Sequence, residues 1–194
     1  SLQAMLEWAA MKPSPGAMPP QVTLDMLQQN RLFRGVSPEA LTSLASELES
    51  VLAQPGQWIM REGDAADVLF VILNGELEVL SHASNADNEV RVALLGPGDW
   101  VGEMALLDAE PVRTASVRSL APSLLMRLTV EQGERLRERE LGIYACVMHN
   151  IARELSRRLH VADHLIARTS TSMAKQYVES IRSATLLDQP SPRH

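Results

Sequence analysis

Cysteine is almost missing from this chain of 194 residues, and the one thiol, Cys146, excludes an intrachain disulfide and any four-cysteine zinc or iron–sulfur site. A reducing, cytoplasmic setting fits that count. An excess of positive charge is also lacking: 18 Lys and Arg stand against 24 Asp and Glu, a net charge of −6. Gripping nucleic acid draws its affinity from neutralised phosphates, so this balance speaks against direct DNA binding as the main work. No apolar run reaches the roughly 18 residues of a membrane span, and Leu2 to Met11 carries Glu7 with no basic leader, so neither a span nor a signal peptide is expected. What is present is a 45% hydrophobic content, enough over this length for one core with extensions.

The punctuation along the chain divides it into four stretches. In residues 1–22, Leu2, Met5, Leu6, Trp8 and Ala9 have helical spacing, and Pro13, Pro15, Pro19 and Pro20 then form a tether. Residues 23–140 open with helical spacing at Leu24, Leu27, Leu32, Phe33, Leu41, Leu44 and Leu48, where Ser37-Pro38 supplies an N-cap and a first-turn proline. From Val51 to Leu128 glycines separate short Val/Leu/Ile runs, the pattern of a sandwich or barrel of strands. Asn74-Gly75 between Val68–Leu73 and Glu76–Leu80 reads as a two-residue hairpin turn. Residues 141–166 form a long helix with apolar positions at Leu141, Tyr144, Met148, Ile151, Leu155, Ala162 and Leu165, a heptad series broken by Arg158. Such a stripe predicts a homodimer seam. Residues 167–194 predict a short amphipathic helix from Ser172 to Leu187 and a disordered tail.

The chemistry concentrates in Gly98 to Val117. Gly102, a helical turn from Glu103 through Met104, Ala105 and Leu106 to Leu107, and a proline-bearing loop lead to Arg113 and a new strand. A turn opening after glycine presents backbone N–H groups to an anion, and Arg113, ten residues beyond Glu103, can lay a planar charged fork over the same place. A carboxylate beside an anion site makes sense when the ligand also offers hydroxyl donors. A 3′,5′-cyclic nucleotide offers both: its ribose 2′-hydroxyl can donate to Glu103 while its phosphate accepts from Arg113 and the amides.

The pattern Gly102-Glu103, Met104-Ala105-Leu106-Leu107, Pro111, Arg113, Thr114-Ala115-Ser116 resembles the phosphate-binding cassette of the cyclic-nucleotide-binding domain family. The resemblance extends through Gly56, Arg61-Glu62-Gly63-Asp64, Gly75-Glu76 and Gly98-Asp99, over about residues 30–165. It implies an α+β fold: an antiparallel β-roll, a jelly-roll-like barrel, flanked by N-terminal helices and a long C-terminal helix. It further implies cAMP or cGMP as ligand, with Arg113 on the exocyclic phosphate oxygens, Glu103 on the ribose, and the amides around Ala105, Leu106 and Thr114 completing the cradle. The base is expected between the strands and the long helix, near Val92 and Ala93. Arg157 to Val161 resembles the helix of the family's bacterial branch, but the following positions are Ala162 and Asp163 where hydroxyl residues are common. Asp163 can accept from an adenine amino group or from two guanine donors, or pair with a neighbouring arginine on the surface. Arg158 needs a partner, whether ligand, Asp163 or a second subunit.

No nucleophile with its base, paired carboxylate or metal cluster accompanies the cassette, so a binding protein rather than an enzyme is expected. His160 and His164, four residues apart, lack a third ligand for a metal. No recognition helix with a basic face can be assembled from Ala167 to His194. The expectation is a sensor that signals to an effector on another chain or in a portion outside this sequence. The alternatives are a dimerisation or docking module that binds nothing, its Glu103 and Arg113 paired with each other, or a regulatory segment of a larger channel, transporter or enzyme.

Overall fold

The computed structural model describes residues 22–82, 89–108 and 112–187, with side chains through 167. The expected N-terminal helix and proline tether, Pro111, the side chains of the Ser172–Leu187 stripe and the tail from Gln189 lie outside the described residues. Helix α1 (Leu24–Gln29) buries Leu27, and a 3₁₀ turn (Arg31–Phe33) follows, started by Asn30, whose Oδ1 accepts from the Leu32 N–H at 2.9 Å. Helix α2 (Pro38–Glu47) begins as the sequence implies: Ser37 Oγ accepts from the Ala40 N–H at 3.3 Å and Pro38 occupies the first turn.

Eight strands follow: β1 (Glu49–Ala53), β2 (Trp58–Met60), β3 (Val68–Asn74), β4 (Leu77–His82), β5 (Glu89–Leu95), β6 (Trp100–Val101), β7 (Ser116–Ser119) and β8 (Ser123–Thr129). They make two antiparallel sheets, in the orders β1-β8-β3-β6 and β2-β7-β4-β5. One core joins them, with Ala53, Val68, Phe70, Ile72 and Leu125 from the first sheet and Met60, Leu77, Leu95 and Val117 from the second.

Two expectations are corrected here. The sheets do not close into a β-roll or jelly-roll-like barrel: among the described residues no ladder joins an edge strand of one to an edge strand of the other, and outside the named strands only the isolated bridge Ala65–Val112 is formed. The cause is strand length. β2 has three residues, β6 two and β7 four, too few to bend from one sheet into the next, so the chain turns at corners instead. The hairpin expected at Asn74-Gly75 is such a corner, since β3 pairs with β8 and β6 whereas β4 pairs with β5 and β7. Gly75 has φ +98°, and a Cβ there would lie 2.5 Å from the Ser123 main chain, so this corner admits no side chain. Val68 to Leu73 is buried throughout, as befits a strand inside a sheet covered on both faces.

Helix α3 (Met104–Leu107) is the cassette turn. Helix α4 (Val130–Arg139) starts in a capping box: Thr129 Oγ1 accepts from the Gln132 N–H, and the Gln132 side chain accepts from the Thr129 N–H. Helix α5 runs unbroken from Leu141 to Leu187, and no helix-turn-helix follows α4 among the described residues. No described helix is long and apolar enough to cross a membrane.

The chain forms two compact units that part after Ile151. In the first, α5 buries Ile143, Val147 and Ile151, and Asn150 Nδ2 donates to the carbonyls of Leu32 and Arg34, each at 2.9 Å. Ile151, read from the heptad as a seam residue, is thus part of the domain core. In the second unit, Arg157 and Arg158 both donate to Glu154.

Candidate functional site

Strand β6 delivers the cassette. Its two residues pair with β3, Val101 opposite Phe70 and Trp100 opposite Val71, and the chain then turns at Gly102 into α3. Gly102 has φ +86°, and a Cβ on it would stand 2.6 Å from Arg113 Nη1 and 2.9 Å from the Val68 carbonyl oxygen. Conformation and space therefore both demand glycine. Glu103 follows in helical conformation and is only 7% exposed, and Ala105 is buried. The amides of Ala105 and Leu106 donate to the carbonyls of Gly102 and Glu103 at 3.1 and 3.0 Å, so these two expected cradle donors are engaged in the turn itself. Leu106 leans on α4, where a Cβ on Gly133 would meet Leu106 Cδ2 at 3.0 Å.

Arg113 comes back to this turn from the far side of the loop and is 6% exposed. Its main chain is stitched to the segment before β3: its N–H donates to Asp64 O at 2.8 Å, and its carbonyl accepts from the Gly63 N–H at 2.9 Å. Its guanidinium is divided between two partners. Nη1 donates to Val68 O at 2.8 Å, and Nη2 stands 3.6 Å from Asp67 Oδ1. Burial pushes the Arg113 pKa down, and the charges of Asp67 and Asp64 partly offset this. The group keeps its charge, because an arginine so far above neutrality does not lose its proton.

Thr114 is exposed and Ala115 half-buried. Ser116 is buried, and its Oγ accepts from the Glu62 N–H at 3.0 Å. Strand register relates Val92 to this place: Ser116 lies opposite Leu80 and Leu80 opposite Arg91, so Val92 falls at the end of the sheet where the cassette enters β7. The pairing shifts between Val79–Ala93 and Leu80–Arg91, which leaves Val92 without an opposite residue, as a bulge exposed to solvent. Ala93, the second strand candidate, is half-buried opposite Val79.

Arg158 and Asp163 belong to the second unit. Arg158 Nε donates to Glu154 Oε1 at 3.2 Å, so the partner it needs is available one helical turn away, and Asp163 is exposed. Hydrogen bonds from Arg157 first, and then from Arg158, hold the Glu154 carboxyl down at about 2. His160 Nδ1 contacts Ser156 O, and no group of three metal-ligating side chains occurs among the described residues.

Sequence reasoning missed Asp67 and the Val68 carbonyl. The signal was faint: Arg61-Glu62-Gly63-Asp64 stood out in the sequence, but the next residues, up to the head of β3, did not.

A buried arginine gripped at one nitrogen, beside a glycine-led turn and a buried carboxylate, is an arrangement that can receive a small anionic group. The comparisons give that arrangement its family. Residues 51–140 match the family model of the cyclic nucleotide-binding domain. The chain is 35% identical over 132 residues to the cyclic AMP receptor protein of Thermus thermophilus, an alignment covering 68% of this chain and 58% of that protein. Among solved structures, the Thermus thermophilus catabolite activator protein superposes with a TM-score of 0.64 at 33% identity, covering 73% of this chain and 63% of that one. A cyclic nucleotide-binding domain from Methylobacillus flagellatus gives 0.63 at 26% identity, with 71% and 76% covered. Residues 51–140 belong to the cyclic nucleotide-binding domain family, whose domain is regulatory and not catalytic. It spans less than two thirds of the length of the receptor protein.

Proposed function

We infer that this domain binds a 3′,5′-cyclic purine mononucleotide, cAMP or cGMP, and works as a cytoplasmic sensor that hands its signal to an effector protein. The observation that carries this reading is the Arg113 guanidinium, buried beside Gly102 and Glu103 and fastened at Nη1 to the Val68 carbonyl. A cation withdrawn from water and fixed in one orientation is prepared for an anionic group, at little reorganisation cost when that group arrives. Glu103 accepts the ribose 2′-hydroxyl in this scheme. Val92, exposed at the bulge of β5, is the group of this domain proposed for the base.

Calorimetric titration with cAMP, cGMP and their 2′-deoxy analogues tests the reading. Arg113→Ala should weaken binding by about 2–5 kcal/mol, on the order of 30- to 5,000-fold, while the variant stays folded. The 2′-deoxy ligand should lose affinity for the native protein and little more for Glu103→Ala. Equal affinity in a folded Arg113→Ala variant defeats the phosphate grip, and strictly additive losses remove Glu103 from the ribose.

A further inference from the structure

We propose that the outer face of the sheet β2-β7-β4-β5 is a docking surface for an acidic segment of a partner protein, seated on one row of side chains that crosses all four strands. The proposal rests on the reading above that an effector protein receives the signal, and it names the surface that meets it. Trp58 lies opposite Arg118, Arg118 opposite Glu78, and Glu78 opposite Leu94. Their chain neighbours Ile59, Val117, Leu77, Val79 and Leu95 pack into the core, so by strand alternation the row itself points out of the sheet. With strands about 4.8 Å apart, the row is about 14 Å long. Glu78 is only 4% exposed on this outer face, because two arginines lie against it: Arg118 donates to its Oε1 through Nε, at 2.8 Å, and through Nη2, and Arg91 Nη1 stands 3.8 Å from Oε2.

At the β2 end of the row, a third arginine stacks on the indole. The Arg61 guanidinium carbon lies 3.7 Å from the centre of the Trp58 ring, and that of Arg118 lies 5.0 Å from it. Arg61, Arg91 and Arg118 are thus held in place before any partner arrives, so docking on them costs little further side-chain entropy. Glu78 is the one carboxylate set against these three cations, in a chain where 24 acids outnumber 18 bases. Of the carboxylates nearby, Glu62 is bound to the N–H and the ring of His82, and Glu76 lies beyond the row at the corner before β4. The row therefore keeps an excess of positive charge. Tryptophan and arginine beside the exposed Leu94 have the composition of an interface hot spot, and the excess charge calls for acidic side chains opposite. A nucleic acid fits less well: the net charge of −6 repels phosphates beyond the row, and a phosphate backbone leaves Trp58 and Leu94 uncovered.

The test titrates the full chain with a fluorescein-labelled peptide of repeated Asp-Leu-Glu-Phe units, reading fluorescence anisotropy together with the ¹⁵N indole signal of Trp58. The peptide should bind and move that signal, and a peptide with lysine at every acidic position should do neither. Arg61→Gln combined with Arg91→Gln changes two exposed side chains, keeps Arg118 on Glu78, and should weaken peptide binding about 5- to 30-fold. No peptide binding, equal binding by the double variant, or a Trp58 signal that stays still overturns the proposal. Oligothymidylate binding as tightly as the peptide overturns it too, since the face would then take any polyanion. So does self-association in sedimentation that the double variant abolishes, which would make the occupant a second copy. Titration of the same chains with cAMP and cGMP is read separately: if neither nucleotide binds while the peptide results hold, the ligand reading falls and the docking face stands.

Discussion

Replacing Gly102 by alanine separates what the cassette glycine does for the fold from what it does for Arg113. The new Cβ would lie 2.9 Å from the Val68 carbonyl, which belongs to a strand inside the sheet and cannot retreat, and 2.6 Å from Arg113 Nη1, which can. Two costs to stability follow. A residue with a side chain at φ +86° is strained by about 1–2 kcal/mol, and the carbonyl contact adds about 1–3 kcal/mol of overpacking. Gly56→Ala is the matched control, because Gly56 has φ +81° and a Cβ there would find no neighbour within 4 Å. It should lose the strain alone. Urea denaturation should therefore place Gly102→Ala below Gly56→Ala by about 1–3 kcal/mol.

Affinity should separate the two variants further. Retreat of the guanidinium gives up its bond to Val68, and a hydrogen bond to a charged group is worth about 1.5–3 kcal/mol, so Gly102→Ala should bind roughly 10- to 150-fold more weakly. Gly56→Ala should bind as the native chain does. If the two variants match in stability and in affinity, the close approach of Gly102 to Arg113 has no energetic meaning and the argument from it is wrong.

The cassette was readable in sequence because its residues are contiguous and each is demanded by a local requirement: positive φ at Gly102, a short apolar turn from Met104 to Leu107, a returning cation at Arg113. What was not readable came from long-range pairing. The run Val68–Leu73 and the run Glu76–Leu80, joined by Asn74-Gly75, fit a hairpin as well as a corner, and only the burial of β3 between β8 and β6 decides between them. Closure into a barrel depends on strand lengths, which are set by where ladders stop and leave no mark in the alternation. The heptad on α5 misplaced one residue for a related reason. Periodicity shows that Ile151 is apolar but not which neighbour covers it, and the domain itself does.

Two predictions concern α5. Because the Glu154 carboxyl is held at about 2, below its ordinary 4.5, its contribution to the helix is fully present above about pH 4.5 and is lost as pH falls through about 2. Circular dichroism should show helix content falling across that window in the native chain beyond any fall in Glu154→Gln; equal losses would mean the pairing with Arg157 and Arg158 does not hold the helix. The dimer seam calls for a revised register. Ile151 is committed to the core and Arg158 to Glu154, so the expected stripe passes through Leu155, Leu159, Ala162 and Ile166, spaced four, three and four, with Leu159 62% and Ile166 64% exposed. Burying a side chain of this size is worth about 1.5–3 kcal/mol, and a twofold dimer buries two from each protomer, so Leu159→Asp with Ile166→Asp should remove about 6–12 kcal/mol of association. Sedimentation should then find monomers that still bind ligand at the cassette, since both substitutions lie in the second unit and the cassette in the first. A double variant that sediments as the native chain does would show that α5 is not the seam, and the exposed Leu159 and Ile166 would have to face something other than a second copy.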